Sequence, residues 1–554
     1  MMLAKMRAES LLSRHRFSLT LLAIILAHGV LNAVWIGQDR TLRAQDMGTQ
    51  LAAAALARRL VLEGGAAGLL EAARGSGAGV WPSFASLPWA LLSLVFGHSI
   101  PVMRMLNLFY LALLLGSVYH VGRALGSRRG GLLAAALLSL MPAIYGSSRM
   151  FGMDLPAAAV VSLNMALLLA TRRFHSPGRS LLFGGALGLG VLLRPHSLFW
   201  SIAPTLLVAA AGLLRPEGRT RARVAFNCLL GAALSLLVSA IWWGGRLREV
   251  VDGFRVHRDG LSHTPADPGI ALPRYLMGIW DYASPLMVLL AAVGAAALLS
   301  RAARKRRWTG LLQWARRPGP WVLALWFWSG VLIHSGFVVL NLRYMLPALP
   351  VIALLAGLGL EAVPHRPSRR AMAVTGALGG ALICLLCSFS PRPPGYWLTA
   401  PPLPSAHACC GPDQYSGPPA VDPGYQVAAE VVRVIGRRHP RGRRVLVRLS
   451  PMYSRTIHPL VVLRAHLRLG LPEVLLTGEP FEVYDPRSPE PDLFHVTLGG
   501  ESFPPRKGPH DWCYDLRLDS RPPRAPARLL LRRSFRSRDH SYRLDLRALE
   551  RCPP

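Results

Sequence analysis

The sequence predicts an α-helical polytopic membrane protein with about 11 transmembrane helices, followed by a small C-terminal extracytoplasmic α/β domain. Three observations carry this. Of 554 residues, 52% are hydrophobic and only 17% charged, too apolar for a soluble chain of that length. Apolar runs long enough to cross the hydrocarbon, about 20 residues each, recur from residue 17 to residue 390. The composition then changes at Ser390 to Pro, Gly and Arg.

Taken in order, the apolar runs place helices near 17–37, 101–121, 131–149, 153–171, 180–193, 196–214, 224–244, 284–300, 319–340, 343–363 and 371–390. The first run follows Lys5, Arg7, Arg14 and Arg16 and lacks a small-x-small cleavage site, so it reads as a retained helix. The run 84–97, with Pro82 and Pro88, is too short to span and reads as an interfacial helix. The span 180–193 is short and Gly-rich, parted from 196–214 only by Arg194 and Pro195. Broken spans survive where they line a protein cavity; a tight hairpin with its turn at the outer surface fits the same residues.

The formal net charge of +34 points to nucleic acid only in a soluble protein. Here the basic residues fall mainly in short loops. They include Arg123, Arg128 and Arg129; Arg172, Arg173 and Arg179; Arg215 to Arg223; Arg301 to Arg317; and Arg366 to Arg370. Such clustering sets orientation in a membrane. It predicts a multi-pass protein of the bacterial inner membrane with a cytoplasmic N-terminus and an extracytoplasmic C-terminus, with membrane lipids rather than nucleic acid as partners. The expected domains are a membrane domain over 1–390, a Pro-rich linker over 391–423 and an α/β domain over 424–554. In the last, an amphipathic stretch near 425–438 accompanies β-type runs at 445–449, 473–477 and 493–498, an apolar stretch at 529–531 and an alternating run at 542–546. Cys409, Cys410, Cys513 and Cys552 lie in this outer region, where disulfides are permitted, and their pairing is open. Cys384 and Cys387, in an apolar run, read as small hydrophobes.

Acidic residues are scarce enough to be informative. Between Glu71 and Glu217 the only one is Asp154, where the fourth expected helix begins at the outer face. Carboxylates beside the hydrocarbon are costly and tend to be paired or functional. Asp154 could equally cap its helix or pair with Arg149. The first outer loop, 38–83, contributes Asp39, Asp46, Glu63 and Glu71. No GxxxxGK nucleotide loop occurs. His257, Asp259 and His263 form only a loose group, so no metal is expected.

The order of features over roughly residues 15–360 resembles the integral-membrane glycosyltransferases of the GT-C fold. The resemblance is to bacterial relatives of dolichyl-phosphate-mannose protein mannosyltransferases and lipid A aminoarabinose transferases. It rests on several elements in sequence. A first helix precedes Asp46, and Trp81-Pro82-Ser83 opens the interfacial helix ending at Phe96-Gly97. Arg104 and Asn107 follow, then Gly122-Arg123-Ala124-Leu125 and Ser148-Arg149 ahead of Asp154. Leu193-Arg194-Pro195 and Asn341-Leu342-Arg343-Tyr344-Met345-Leu346-Pro347 complete the series. Relatives commonly carry Asp-Glu in the first loop and Lys-Pro-Pro or His-Pro-Pro after it; here these are Asp46-Met47 and Trp81-Pro82-Ser83.

The resemblance implies transfer of a sugar from a polyprenyl-phosphate donor to a hydroxyl acceptor at the outer face, with inversion at C1 and no cofactor. Asp46 takes the position of the catalytic base and Asp154 that of a second acid. Arg343 and Arg194 are the candidates for the donor phosphate, since guanidinium binds phosphate oxygens bidentately; Arg343 could instead anchor its helix by snorkelling. Trp81, Arg149 and Tyr344 are the substrate-binding candidates. The alternatives from other classes are a secondary transporter or flippase of envelope precursors, for which no internal repeat is visible, and a non-catalytic envelope-assembly scaffold.

Overall fold

The computed structural model describes residues 2–39, 45–74, 84, 87–97, 100–150, 152–214, 221–244, 268–304, 318–336 and 342–389, together with six β-strands. Contacts divide the chain into two compact units. Unit one comprises 1–37, 104–248 and 261–418. Unit two comprises 38–103, 249–260 and 419–554.

Unit one is helical. It holds α1 (Met2–Gln38, whose last residue falls to unit two), α5 (Asn107–Ala124), α6 (Arg128–Ser139), α7 (Pro142–Ser147), α8 (Asp154–Ala170), α9 (Pro177–Leu193), α10 (Ser197–Leu214) and α11 (Arg221–Trp243). Next come α12 (Pro268–Ala283), α13 (Pro285–Arg304), α14 (Pro318–Ser335), a 3-10 segment (Leu342–Ala348), α15 (Leu349–Ala362) and α16 (Arg366–Phe389). Each of the 11 expected spans falls mainly on helix over its described residues. Among the described residues, six helices are long and apolar enough to cross a membrane, or seven if the bent pair Ala271–Ala283 and Pro285–Arg301 counts as one.

Three departures from expectation have local causes. The span expected at 131–149 is two helices, because Met141 precedes Pro142 and is held extended (φ −73°, ψ 130°), the conformation a following proline imposes. The span expected at 343–363 opens as a 3-10 segment before α15. Helix α12 was not expected at all. Pro268, Pro273 and Arg274 interrupt its apolar run, yet its buried residues Ala271, Tyr275, Ile279 and Tyr282 recur at intervals of four, four and three, a helical spacing that was there to be read.

Glycine lets the membrane helices approach closely. A Cβ on Gly184 of α9 would stand 2.1 Å from the carbonyl oxygen of Gly231 on α11, and one on Gly359 of α15 would stand 2.0 Å from Cα of Gly294 on α13. Without a hydrophobic drive between helices in lipid, such backbone-to-backbone packing supplies the association energy. Leucines on the opposite faces, such as Leu229, Leu236 and Leu237 of α11, are exposed, as lipid-facing positions are.

Unit two contains α2 (Gln45–Arg74), α3 (Leu87–Phe96), α4 (Ile100–Met105, whose last residues pass into unit one) and the sheet. The expected interfacial helix is α3. The expected long loop is mostly helix: α2 is kinked at Gly65, whose φ of 54° glycine adopts without strain. Asp46 stands in its first turn. The strands β1 (Arg444–Leu449), β2 (Val474–Thr477), β3 (Leu493–Leu498), β4 (Trp512–Leu518), β5 (Ala527–Arg536) and β6 (Ser541–Leu549) form one sheet in the order β2-β3-β1-β4-β6-β5. Only β1 and β4 pair in parallel. Strands β1, β2 and β3 overlie the β-type runs read from the sequence, β5 contains the apolar stretch 529–531, β6 contains the alternating run 542–546, and β4 was missed. The linker, the amphipathic stretch near 425–438, Cys409, Cys410, Cys552 and the group His257, Asp259 and His263 lie outside the described residues.

Candidate active site

The site begins at a helix end that proline creates. Pro195 excludes Arg194 from the α conformation, so Arg194 closes α9 in an extended state (φ −161°, ψ 113°) while its N–H still donates to Gly190 O at 2.8 Å. The released side chain turns to Asp154, the first residue of α8, and the guanidinium donates to its carboxylate oxygen. Asp154 follows the N-cap residue Met153 and does not itself cap the helix. A carboxylate in the first turn is also favoured by the helix dipole. The partner weighed from sequence was Arg149; the partner the structure gives is Arg194.

The 3-10 segment adds two further residues. The Tyr344 ring lies 4.8 Å from Arg194 Cζ, a cation–π distance. Arg343 is buried at 7% exposure, and its charge acts on both Arg194 and His196. Burial at that level does not fit a side chain reaching out to anchor its helix. Thus Asp154, Arg194, Arg343 and Tyr344, named from three distant parts of the sequence, are brought together.

Two histidines complete the group and were not foreseen. His196 packs 4.5 Å from Tyr344 and 5.9 Å from His334, ring centroid to centroid, and His334 lies 5.6 Å from Tyr344. His334 Nδ1 lies 2.6 Å from Gly330 O; a carbonyl can only accept, so Nδ1 carries the proton. Behind them Gly330 makes room for Trp200: a Cβ there would stand 2.1 Å from the indole.

Arg149 is placed elsewhere in the same unit. Its guanidinium donates to Ser388 Oγ at 2.7 Å and stacks over Trp35 and Tyr145, at 4.2 and 4.6 Å from their centroids. Trp35 Nε1 donates to Ser388 O at 3.3 Å, and Asn32 Nδ2 to Ser148 Oγ at 2.8 Å. This packing joins α1, α7 and α16. Trp81 and the side chain of Asp46 lie outside the described residues. Cys384 and Cys387 are buried free thiols, and Cys384 donates to Leu140 O at 3.0 Å. Among the described residues no group of three or more His, Cys, Asp or Glu is arranged to hold a metal ion.

Residues 82–243 match the family model described as dolichyl-phosphate-mannose-protein mannosyltransferase. The ArnT of Cupriavidus metallidurans in its apo state is 16% identical, with 95% of this chain and 97% of that one covered and a TM-score of 0.53. The same protein bound to undecaprenyl phosphate gives 17% identity, 82% and 73% coverage and a TM-score of 0.45. An Archaeoglobus fulgidus oligosaccharyltransferase tethered to an acceptor peptide gives 13%, 76% and 58%, and 0.46. No curated protein sequence matches the chain. The molecule is a membrane protein that shares the fold of ArnT, the GT-C fold, and its residues 82–243 are similar to the family described as dolichyl-phosphate-mannose-protein mannosyltransferase.

Proposed function

We propose that the chain is a glycosyltransferase that moves a sugar from a polyprenyl-phosphate carrier to a hydroxyl acceptor at the outer face of the bacterial inner membrane. The observation that carries the reading is the meeting of Arg194 and Arg343 beside Tyr344 and Asp154. Two guanidiniums close enough to act on each other raise each other's energy, and an anion between them relieves that cost. The donor's phosphate is such an anion. The fold and the family match over 82–243 favour the same chemistry.

In this reading the acceptor oxygen attacks C1 of the sugar as the bond from C1 to the phosphate oxygen breaks, which inverts C1. The hydroxyl proton goes to the Asp46 carboxylate, assigned as base by the resemblance. The charge gathering on the departing polyprenyl phosphate is taken up by Arg343 and Arg194. Asp154 holds Arg194 in place. The N-terminus is cytoplasmic and the C-terminal sheet extracytoplasmic, as the basic loops imply.

The test is transfer by the full-length protein, purified in lipid nanodiscs, from a panel of polyprenyl-phosphate sugars to hydroxyl acceptors. Product with at least one donor is expected. Movement of intact lipid-linked sugar across vesicles without any new glycosidic bond would replace this reading with transport.

A further inference from the structure

The helix that sequence reading missed carries a carboxylate that the mechanism above does not use. Asp281, in the last turn of α12, is 6% exposed. Among the described residues no hydrogen bond or ion pair reaches it. Buried polar groups are nearly always satisfied, and an ionised carboxylate is the costliest of them to leave alone. The oxygens of Asp281 are not among the fully enclosed polar atoms of the described residues, so the acid faces space that a ligand bringing its own donors can enter.

The backbone around it is built for a site. Helices α12 and α13 meet at 103°, and the residue between them, Ser284, has φ 79°, a left-handed conformation that a non-glycine residue holds only when its surroundings impose it. Residues 281–284 are all buried. Irregular backbone within a broken span persists where protein or a cavity lines it. Helix α12 packs against the 3-10 segment Leu342–Ala348, which carries Arg343 and Tyr344, and against α7.

We propose that Asp281 is a specificity-determining residue that reads the donor sugar, its carboxylate accepting hydrogen bonds from hydroxyls of the sugar ring. The inference rests on the glycosyltransferase reading. In the donor the sugar ring is joined directly to the phosphate, so a phosphate held at Arg343 brings the ring beside the segment on which α12 packs. Sugar hydroxyls are donors. A carboxylate is acceptor-only, with two oxygens that can take two neighbouring hydroxyls at once, and hydrogen bonds to a charged acceptor discriminate more strongly than neutral ones.

The test compares the native full-length protein with Asp281→Leu and Asp281→Asn, using the best polyprenyl-phosphate sugar and its monodeoxy analogues. For the native protein, removing the hydroxyl that Asp281 reads should lower kcat/KM by about 10- to 100-fold. Asp281→Leu should use the parent donor as poorly as the native protein uses that analogue and should treat parent and analogue alike within about twofold; Asp281→Asn, with one carbonyl oxygen left, should fall between. Leu replaces an uncompensated buried charge with an apolar group of similar size, so its Tm should not fall. If Asp281→Leu does not accumulate as folded protein, Asp281→Asn carries the comparison. Native discrimination retained in the folded variants overturns the assignment of Asp281 alone. Absence of transfer by the native protein with every donor overturns the glycosyltransferase reading, and this inference with it.

Discussion

Arg194 reaches Asp154 from the point where Pro195 stops a helix. The ion pair therefore depends on a backbone break as well as on two complementary charges. Arg194→Ala should leave the largely buried Asp154 without the guanidinium, costing about 3–5 kcal/mol and lowering the Tm of the purified protein by several degrees. Asp154→Asn should lower transfer by at least tenfold while keeping most of the packing. Transfer at the native rate by folded Asp154→Asn would reduce the pair to a structural tie.

Phosphate recognition separates Arg343→Lys from Arg343→Ala. Lysine keeps the charge and loses the planar fork, so Lys should raise KM for the lipid donor by a few-fold and Ala by at least tenfold. Steady-state kinetics over donor concentration reads the difference. Equal and normal KM values in both would assign Arg343 to holding the 3-10 segment.

Asp46→Asn should abolish transfer while the protein still inserts and binds the lipid donor, because Asn keeps the size of Asp but is a poor proton acceptor. Positioned general bases contribute about 10²- to 10⁴-fold in rate. Asp39→Asn is the control and should transfer normally. A near-native rate for Asp46→Asn would take the base role away from it.

Orientation is testable without any substrate. A reporter active only outside the cytoplasm should work when fused after residue 400 and fail when fused near Arg307. Activity at Arg307 would reverse the assignment drawn from the basic loops.

Much of this molecule was legible because membrane helices announce themselves through long apolar runs. Asp154 and Arg194 stood out for the same reason: a charge within such runs is rare. Their pairing was not legible, since Arg149 is five residues from Asp154 and Arg194 forty, and only the packing of α8 against α9 decides between them. His196 and His334 escaped notice because a lone histidine beside an apolar run carries no sign of its neighbours. His196 does follow the Arg194-Pro195 break, which was the one available cue. Asp281 was hidden with its helix, whose prolines and arginine outweighed a regular four-four-three spacing of buried residues.

The packing around Arg149 also bears on the order in which the chain is assembled. Trp35 and Ser388, which meet through the indole N–H, are 353 residues apart, so the first helix cannot take its final seat until the last one has emerged from the ribosome. Late closure of long-range contacts leaves intermediates open to misassembly. A chain ending before residue 366 would complete α1 to α15 yet lack the hydroxyl that Ser388 offers Arg149. During biogenesis such a truncated protein should be cleared by membrane proteolysis even though Asp154, Arg194, Arg343 and Tyr344 are all present.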